Sequence, residues 1–131
     1  MTTLAAVFVG AVPSMAAESN YLPSCDWDDT SCQVGVKVTI PPVGSSCVSQ
    51  PADRATVCVY PEGDYVYVKD LNADGNSALA LVSSLSGNVR FRFCRNPHGK
   101  DTWARCNFDW VEDTRKSVYG GYRKSDGDYS V

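Results

Sequence analysis

His98 is the only histidine in this sequence of 131 residues, and its side chain is the one best suited to proton transfer near neutral pH. It lies in residues 97–101, Pro-His-Gly-Lys-Asp, and Arg105 follows shortly afterwards. A histidine, a carboxylate and an arginine together can carry out ribonuclease-like acid–base chemistry. The sequence contains no G-x-S-x-G or H-E-x-x-H motif and no glutamate pair at a defined spacing. The pattern favours an exposed loop histidine, and a small hydrolase centred on His98 stays as an alternative.

A second pattern with chemical meaning begins at Asp70. Residues 70–75, Asp-Leu-Asn-Ala-Asp-Gly, match the front of an EF-hand loop, where oxygen ligands stand at positions 1, 3 and 5 and glycine at position 6. Position 12 should be a bidentate glutamate but is Leu81, and no incoming helix is predicted. We therefore expect a loop between two strands in which Gly75 supplies a positive φ, and no cofactor. The alternative, a calcium site, would use Asp70, Asn72 and Asp74.

The cysteines predict a stapled fold. An even number of cysteines in an exported chain is typical of disulfides, so the six cysteines predict three bonds. Spacing does not fix their pairing, but we favour the local set, in which the last two cysteines end strand-like runs on either side of one loop. The absence of any C-x-x-C pair argues against a thiolate zinc site. The favoured pairs are Cys25 with Cys32, Cys47 with Cys58, and Cys94 with Cys106.

The first 17 residues are typical of a signal peptide. Leu4 to Val12 is an uncharged apolar run, too short to span a bilayer as a helix. Pro13 and a cluster of small residues follow, although no Lys or Arg precedes the run. We expect the mature, secreted, extracellular protein to begin near Ala17 or Glu18.

Residues beyond the signal peptide predict one domain of β-strands. Apolar and polar residues alternate in short segments bounded by Gly, Pro, Asn and Asp. In the segment 88–94, for example, Phe91 and Phe93 share one face and Arg90 and Arg92 the other. Six or seven such strands indicate an all-β fold, a small disulfide-stapled antiparallel sandwich or barrel. The predicted parts are a signal peptide (1–17), an extended N-terminal segment (18–32) and a β domain (33–131), with strands at 33–40, 55–60, 64–69, 77–83, 88–94, 104–112 and 116–123, a bulge or bend at Gly120-Gly121 and a short edge strand at Tyr129.

Two segments carry residue types that are common in protein-binding sites. The loop between Cys94 and Cys106 is rich in cations and holds a tryptophan, which suits a protease inhibitor. The N-terminal segment 18–32 carries aromatic and apolar residues without core periodicity, so it could insert into a partner. In each case the alternative is ordinary packing within the domain. The candidate partner-binding residues are Tyr21, Leu22, Pro23, Trp27, Arg95, His98, Lys100, Trp103 and Arg105.

The charge and hydropathy of the sequence argue against two classes of partner, nucleic acids and membranes. The net charge is −3, and no basic stripe follows a strand or loop, so nucleic acid is not an expected partner. Beyond the signal peptide the sequence has no long apolar stretch and no lipidation motif, so no membrane association is expected.

The sequence also resembles a group of small secreted actinobacterial disulfide-bonded β proteins, most of which have no assigned activity. The resemblance covers roughly residues 47–112 and is carried by residues 54–58 (RATVC), 67–78 (YVKDLNADGNSA), 94–99 (CRNPHG) and 106–109 (CNFD). Within this group the chain is similar to the adaptor subunits of secreted umbrella toxin particles. Such adaptors join a large repeat-bearing toxin subunit to a lectin subunit with a trypsin-like domain. The resemblance implies that Tyr21 to Trp27 are a strap that enters the lectin subunit.

Together these observations predict a secreted, non-catalytic module that binds other secreted proteins. The favoured function is an adaptor that joins subunits of an extracellular antibacterial toxin complex, with lectin-like and large repeat-bearing subunits as partners. The alternatives are a protease inhibitor that acts through the 94–106 loop and the hydrolase centred on His98.

Overall fold

The computed structural model describes residues 17–18, 20–50, 55–60, 64–73, 75–84, 88–108 and 116–131. In these ranges the chain forms two packed β-sheets and one short 3-10 helix, Pro23–Asp26. The predicted all-β, disulfide-stapled sandwich is confirmed, although the described part holds eleven strands rather than six or seven. The signal peptide, apart from Ala17, lies outside the described residues. None of the described helices is long and apolar enough to span a membrane.

The chain passes between the two sheets in groups of strands: β1 and β2 lie in sheet A, β3 to β6 in sheet B, β7 and β8 in sheet A, β9 in sheet B, and β10 and β11 in sheet A. Sheet A has the order β1-β2-β8-β7-β10-β11, and sheet B has the order β3-β9-β6-β5-β4. All neighbouring strands are antiparallel except β2 and β8, which are parallel. The strands are β1 (Ala17–Glu18), β2 (Thr30–Val34), β3 (Val36–Val38), β4 (Ser46–Gln50), β5 (Ala55–Tyr60), β6 (Tyr65–Asp70), β7 (Ser77–Ser84), β8 (Phe91–Asn96), β9 (Trp103–Asn107), β10 (Lys116–Arg123) and β11 (Tyr129–Ser130).

The main core lies between the two sheets. Successive side chains of a strand point to opposite faces, so every second residue of β5, β6, β7 and β9 enters this core. Val57, Val66, Val68 and Val82 are fully buried there. The Cys94–Cys106 bond also lies in this core and joins β8 of sheet A to β9 of sheet B. It therefore ties the two sheets together across the sandwich.

All three favoured disulfide pairs are confirmed. Besides the bond between the sheets, Cys25 pairs with Cys32 and Cys47 with Cys58. The Cys47–Cys58 bond joins directly opposite residues of β4 and β5. No free cysteine is present among the described residues. Each bond closes a short stretch of chain, as the local spacing predicted.

A second apolar cluster covers the outer face of sheet A. Leu79 of β7 and Phe93 of β8 point away from the main core and contact Tyr21 and Leu22. The N-terminal segment was predicted to be extended and separate from the domain. Instead it includes the 3-10 helix and β2, and its apolar residues cover a face that would otherwise expose phenylalanine and leucine. Sheet A therefore buries apolar side chains on both of its faces.

Three strand predictions differ from the structure for identifiable reasons. The predicted strand 33–40 is split at Gly35 because β2 and β3 belong to different sheets. A Cβ atom at Gly35 would stand 2.8 Å from the Cβ of Ala104, so only glycine fits this close approach. Strand β4 was missed because Ser46 to Ser49 are exposed and contain a single branched apolar residue, Val48. Gly120 and Gly121 form no bulge opposite β7, and Gly121 instead lies under the carbonyl oxygen of Ser130.

Candidate functional site

The nine predicted binding residues do not form one site. Tyr21, Leu22, Pro23 and Trp27 lie at the outer face of sheet A, His98 and Lys100 lie in the turn between β8 and β9, and Arg95 lies on sheet A. Trp103 and Arg105 lie on sheet B, on the outer side of the sandwich.

Tyr21 and Leu22 are structural residues of the domain. Leu22 is 2 % exposed, and the Tyr21 hydroxyl donates to the carbonyl oxygens of Gln33 and Phe93, at 2.9 and 3.0 Å. In the folded domain these two side chains are not available to a partner, contrary to the strap interpretation. Trp27 of the same segment is 60 % exposed and stays a candidate contact.

The turn that carries His98 and Lys100 is built around Asn96. The amide of this fully buried side chain donates to the carbonyl oxygens of Val68 and Thr102, at 3.0 and 2.8 Å. Its oxygen accepts the backbone N–H of His98 at 2.9 Å. Thr102 Oγ1 closes the turn by donating to Gly99 O at 2.6 Å. The predicted displayed loop is thus a compact turn of residues 97–102.

This geometry separates the groups that the alternative functions need. His98 Nε2 lies 2.9 Å from the carbonyl oxygen of Gly35, so it carries the proton in this contact. Arg105 stacks on the ring of Tyr65 at 4.8 Å, on the outer face of sheet B, and Arg95 lies on the other sheet. Among the described residues no hydrogen bond joins His98 to Asp101 or Arg105. An inhibitory loop is usually extended, whereas Gly99 and Asp101 here have positive φ.

In the connection 70–75, the side chain of Asp70 makes a hydrogen bond within the turn. Asp70 is buried at the end of β6, and its Oδ1 accepts the backbone N–H of Asn72 at 2.9 Å. Gly75 has φ +77°, which confirms the predicted turn conformation. Asp74, the third residue of the calcium alternative, lies outside the described residues. Within the described part no group of three or more metal-ligating side chains is present.

The outer face of sheet B carries rows of aromatic and cationic side chains. Strand register places Val38, Trp103, Lys69 and Thr56 in one row across the sheet, and Lys69 Nζ lies 5.9 Å from the Trp103 ring centroid. The neighbouring rows hold Arg105 with Tyr67 and Asn107 with Tyr65. The register brings no carboxylate to the described part of this face. These contacts fix the cations in place by cation–π attraction.

Residues 39–45 add the most exposed apolar side chains of the described chain. They connect β3 to β4, which are the two opposite edges of sheet B and run in the same direction. The connection must therefore cross the sheet, and the main core fills the inner face. Tyr67, in the middle of the outer face, is only 4 % exposed, so part of this face is covered by the chain itself. Ile40 is 69 % and Val43 100 % exposed on this connection.

Sequence reasoning missed Ile40 and Val43 because they flank Pro41-Pro42, a pair that only marked the end of a strand. Two branched apolar residues beside a proline pair in a loop were the available signal. Ile40 also lies two residues beyond Val38, the register partner of Trp103. Together Ile40, Val43, Lys69, Trp103 and Arg105 define the surface that is called the sheet B surface below.

Comparison with known proteins returned no matching family model, no matching curated protein and no matching solved structure.

Proposed function

We propose that the mature protein is secreted and acts as a non-catalytic module that binds another protein through the sheet B surface. Two observations carry this proposal: Ile40 and Val43 are exposed on the connection that follows β3, and β3 is the strand paired with Trp103, which contacts Lys69. Exposed apolar side chains are unfavourable in water, and a partner that covers them contributes favourable free energy of binding. Tryptophan and arginine are also the residue types that dominate binding energy at protein interfaces.

The chemistry of the surface indicates what the partner presents. Lys69 and Arg105 are positive, and the register brings no carboxylate to the described part of the same face. A partner with an apolar patch bordered by acidic side chains would complement it in both shape and charge. The disulfides and the proline pair hold the surface in place, so little conformational entropy is lost on binding.

The disulfides fit an extracellular location. Three bonds within one small domain are typical of oxidising environments. The resemblance to adaptors of umbrella toxin particles supports a more specific role, in which the protein joins a lectin-like subunit to a large repeat-bearing toxin subunit. Because Tyr21 and Leu22 are buried in the domain, we assign partner contacts to Trp27 and to the sheet B surface.

The test is affinity capture of partners from the culture supernatant of the producing strain by the tagged mature protein, followed by mass spectrometry. We expect stoichiometric recovery of a large repeat-bearing protein and a lectin. The double variant Ile40→Ser/Val43→Ser should lose at least one of them, and it should still fold because both side chains are in solvent.

The matched control is Tyr119→Ser, which removes an exposed aromatic side chain from the opposite sheet. Equal recovery by the double variant and the control would contradict the assignment of the surface. Recovery of one active protease in place of the expected subunits would support the inhibitor, and absence of any partner would contradict a binding module.

A further inference from the structure

A cleft of about 270 Å³ opens at the end of the sandwich where the connection after β6 meets the turn after β8. One wall is the turn that follows β8, with Pro97, Gly99 and Lys100. The connection between β6 and β7, with Asn72, also lines the cleft, together with Ser77 at the start of β7. Arg95 lines the cleft as well. The space suits one side chain or one small group rather than a folded ligand.

Arg95 is held so that its outer nitrogens are left for a ligand. Its Nε donates to Ser77 Oγ at 2.9 Å, and the guanidinium stacks 5.7 Å from the centroid of the Tyr21 ring. Tyr21 is in turn fixed by its hydroxyl bonds to the backbone. Nη1 and Nη2 of Arg95 make no hydrogen bond or ion pair with any residue that the structure describes.

The charges around Arg95 also favour an added anion. Burial and the nearby positive charge of Arg123 lower the pKa of Arg95, and the Tyr21 side chain acts in the opposite direction. Arg123 is itself fixed by bonds from its Nε to Tyr21 O at 2.8 Å and from Nη1 to Lys124 O at 3.2 Å. Among the described residues no carboxylate is paired with either guanidinium, and two like charges near each other are stabilised by an anion that binds to either.

We infer that this cleft binds a carboxylate group, with Arg95 as the bidentate anchor and Lys100 as a second cation on the rim. A planar carboxylate matches the two outer nitrogens of a guanidinium. Asp70 also lines the cleft, but its Oδ1 accepts the Asn72 N–H and so shapes the wall. An acidic side chain of an extended partner segment is the occupant that fits this volume. The site goes beyond the proposed function because none of the residues that line it belongs to the sheet B surface.

The test uses peptides, since the natural ligand is not identified. Probe peptides with blocked ends, Gly-Glu-Gly-Glu-Gly and its glutamine counterpart, are titrated into the isotope-labelled mature protein and followed by amide chemical shifts. A third peptide, the glutamine sequence with a free C-terminus, separates a terminal carboxylate from a side-chain one. We expect the glutamate peptide to bind with a dissociation constant on the order of 10 mM or tighter and to shift Ser77, Gly99 and Lys100. The blocked glutamine peptide should not bind.

Variants locate the site. Arg95→Gln should weaken binding about tenfold or more, as expected for loss of one charge-assisted bidentate pair. Lys100→Gln, at a fully solvated position, should weaken it about twofold without affecting the fold. Arg90→Gln, an exposed arginine that precedes the same strand, is the control and should bind like the wild type.

The results decide between the interpretations. Binding of the free C-terminus alone would keep the carboxylate site and assign it to chain ends. No shift with any carboxylate peptide, or equal binding by Arg95→Gln and Arg90→Gln, would overturn the inference. Because no natural partner is used, either failure leaves the proposed function of the sheet B surface untouched.

Discussion

The substitution Leu22→Ala tests whether the N-terminal segment is part of the folded domain. Leu22 is 2 % exposed and packs with Leu79 and Phe93 over the outer face of sheet A. Its truncation removes buried methyl groups and leaves a cavity that the neighbouring backbone, held by the Cys25–Cys32 bond, cannot fill. A strap that only enters a partner would show no such cost.

The expected loss in the free energy of unfolding is about 3 kcal/mol, within the usual range for a buried leucine. For a domain of this size the urea dependence is about 1.5 kcal/mol per molar, so the midpoint of unfolding should fall by about 2 M. Single domains of this length usually unfold in one cooperative step, which makes the comparison direct.

The assay is urea unfolding followed by tryptophan fluorescence and by circular dichroism. Trp27→Ala is the control, because it removes a larger apolar side chain from the same segment at a position that is 60 % exposed. Its unfolding free energy, from circular dichroism, should stay within about 0.5 kcal/mol of the wild type. A Leu22→Ala variant as stable as the Trp27→Ala variant would refute the packing described for this segment.

Two further predictions concern the staples and the turn. Removal of the buried Cys94–Cys106 bond by paired alanine substitutions should lower the free energy of unfolding by about 4 to 5 kcal/mol. About 3 kcal/mol comes from the greater entropy of the unfolded chain, and the rest comes from the cavity left in the core. The Cys47–Cys58 bond closes a loop of nearly equal length but has one exposed cysteine, so its removal should cost only about 3 kcal/mol by thermal unfolding. The substitution Asn96→Ala should cost about 3 kcal/mol and raise hydrogen exchange across residues 97–102, because it removes the three hydrogen bonds that this buried amide makes to Val68, Thr102 and His98.

Controls for these predictions come from the same chain. Asn88→Ala removes an exposed asparagine and should leave stability within about 0.5 kcal/mol of the wild type. Equal losses for the two disulfides would contradict the placement of one of them in the main core. Unchanged exchange in the turn of Asn96→Ala would contradict the role of that amide.

The alternation of apolar and polar residues predicted most strands but not the face that each one buries. In β8 the sequence correctly separates Phe91 and Phe93 from Arg92. The apolar face then meets Tyr21 and Leu22, whereas the face with Arg92 and Asn96 points into the sandwich. Arg92 is accommodated because its Nη1 donates to Ser84 Oγ at 3.0 Å and to the Val89 carbonyl at 2.9 Å. Alternation alone does not say which face another segment will cover, so burial could not be assigned from it.

Loop spacing predicted the disulfides, and the candidate site was predicted only in part. Trp103 and Arg105 were chosen from a loop, yet both are strand residues, since β9 starts directly after the short turn. Ile40 and Val43 were missed because their exposure depends on β3 and β4 lying at opposite edges of sheet B, which their closeness in sequence does not indicate. Arg95 and Arg123 are brought near each other because both contact Tyr21, Arg95 through its ring and Arg123 through its carbonyl oxygen. No local spacing in the sequence indicates these contacts.

The most direct measurement of the central claim is the equilibrium affinity of the captured partner for wild type and for Ile40→Ser/Val43→Ser, with Tyr119→Ser beside them. If the sheet B surface is the binding site, the double variant should bind at least about thirtyfold more weakly, the loss expected when two exposed apolar contacts at an interface centre are removed. The control should bind as the wild type does. Equal affinities for all three proteins, each with wild-type stability, would contradict the account and place the partner on another face.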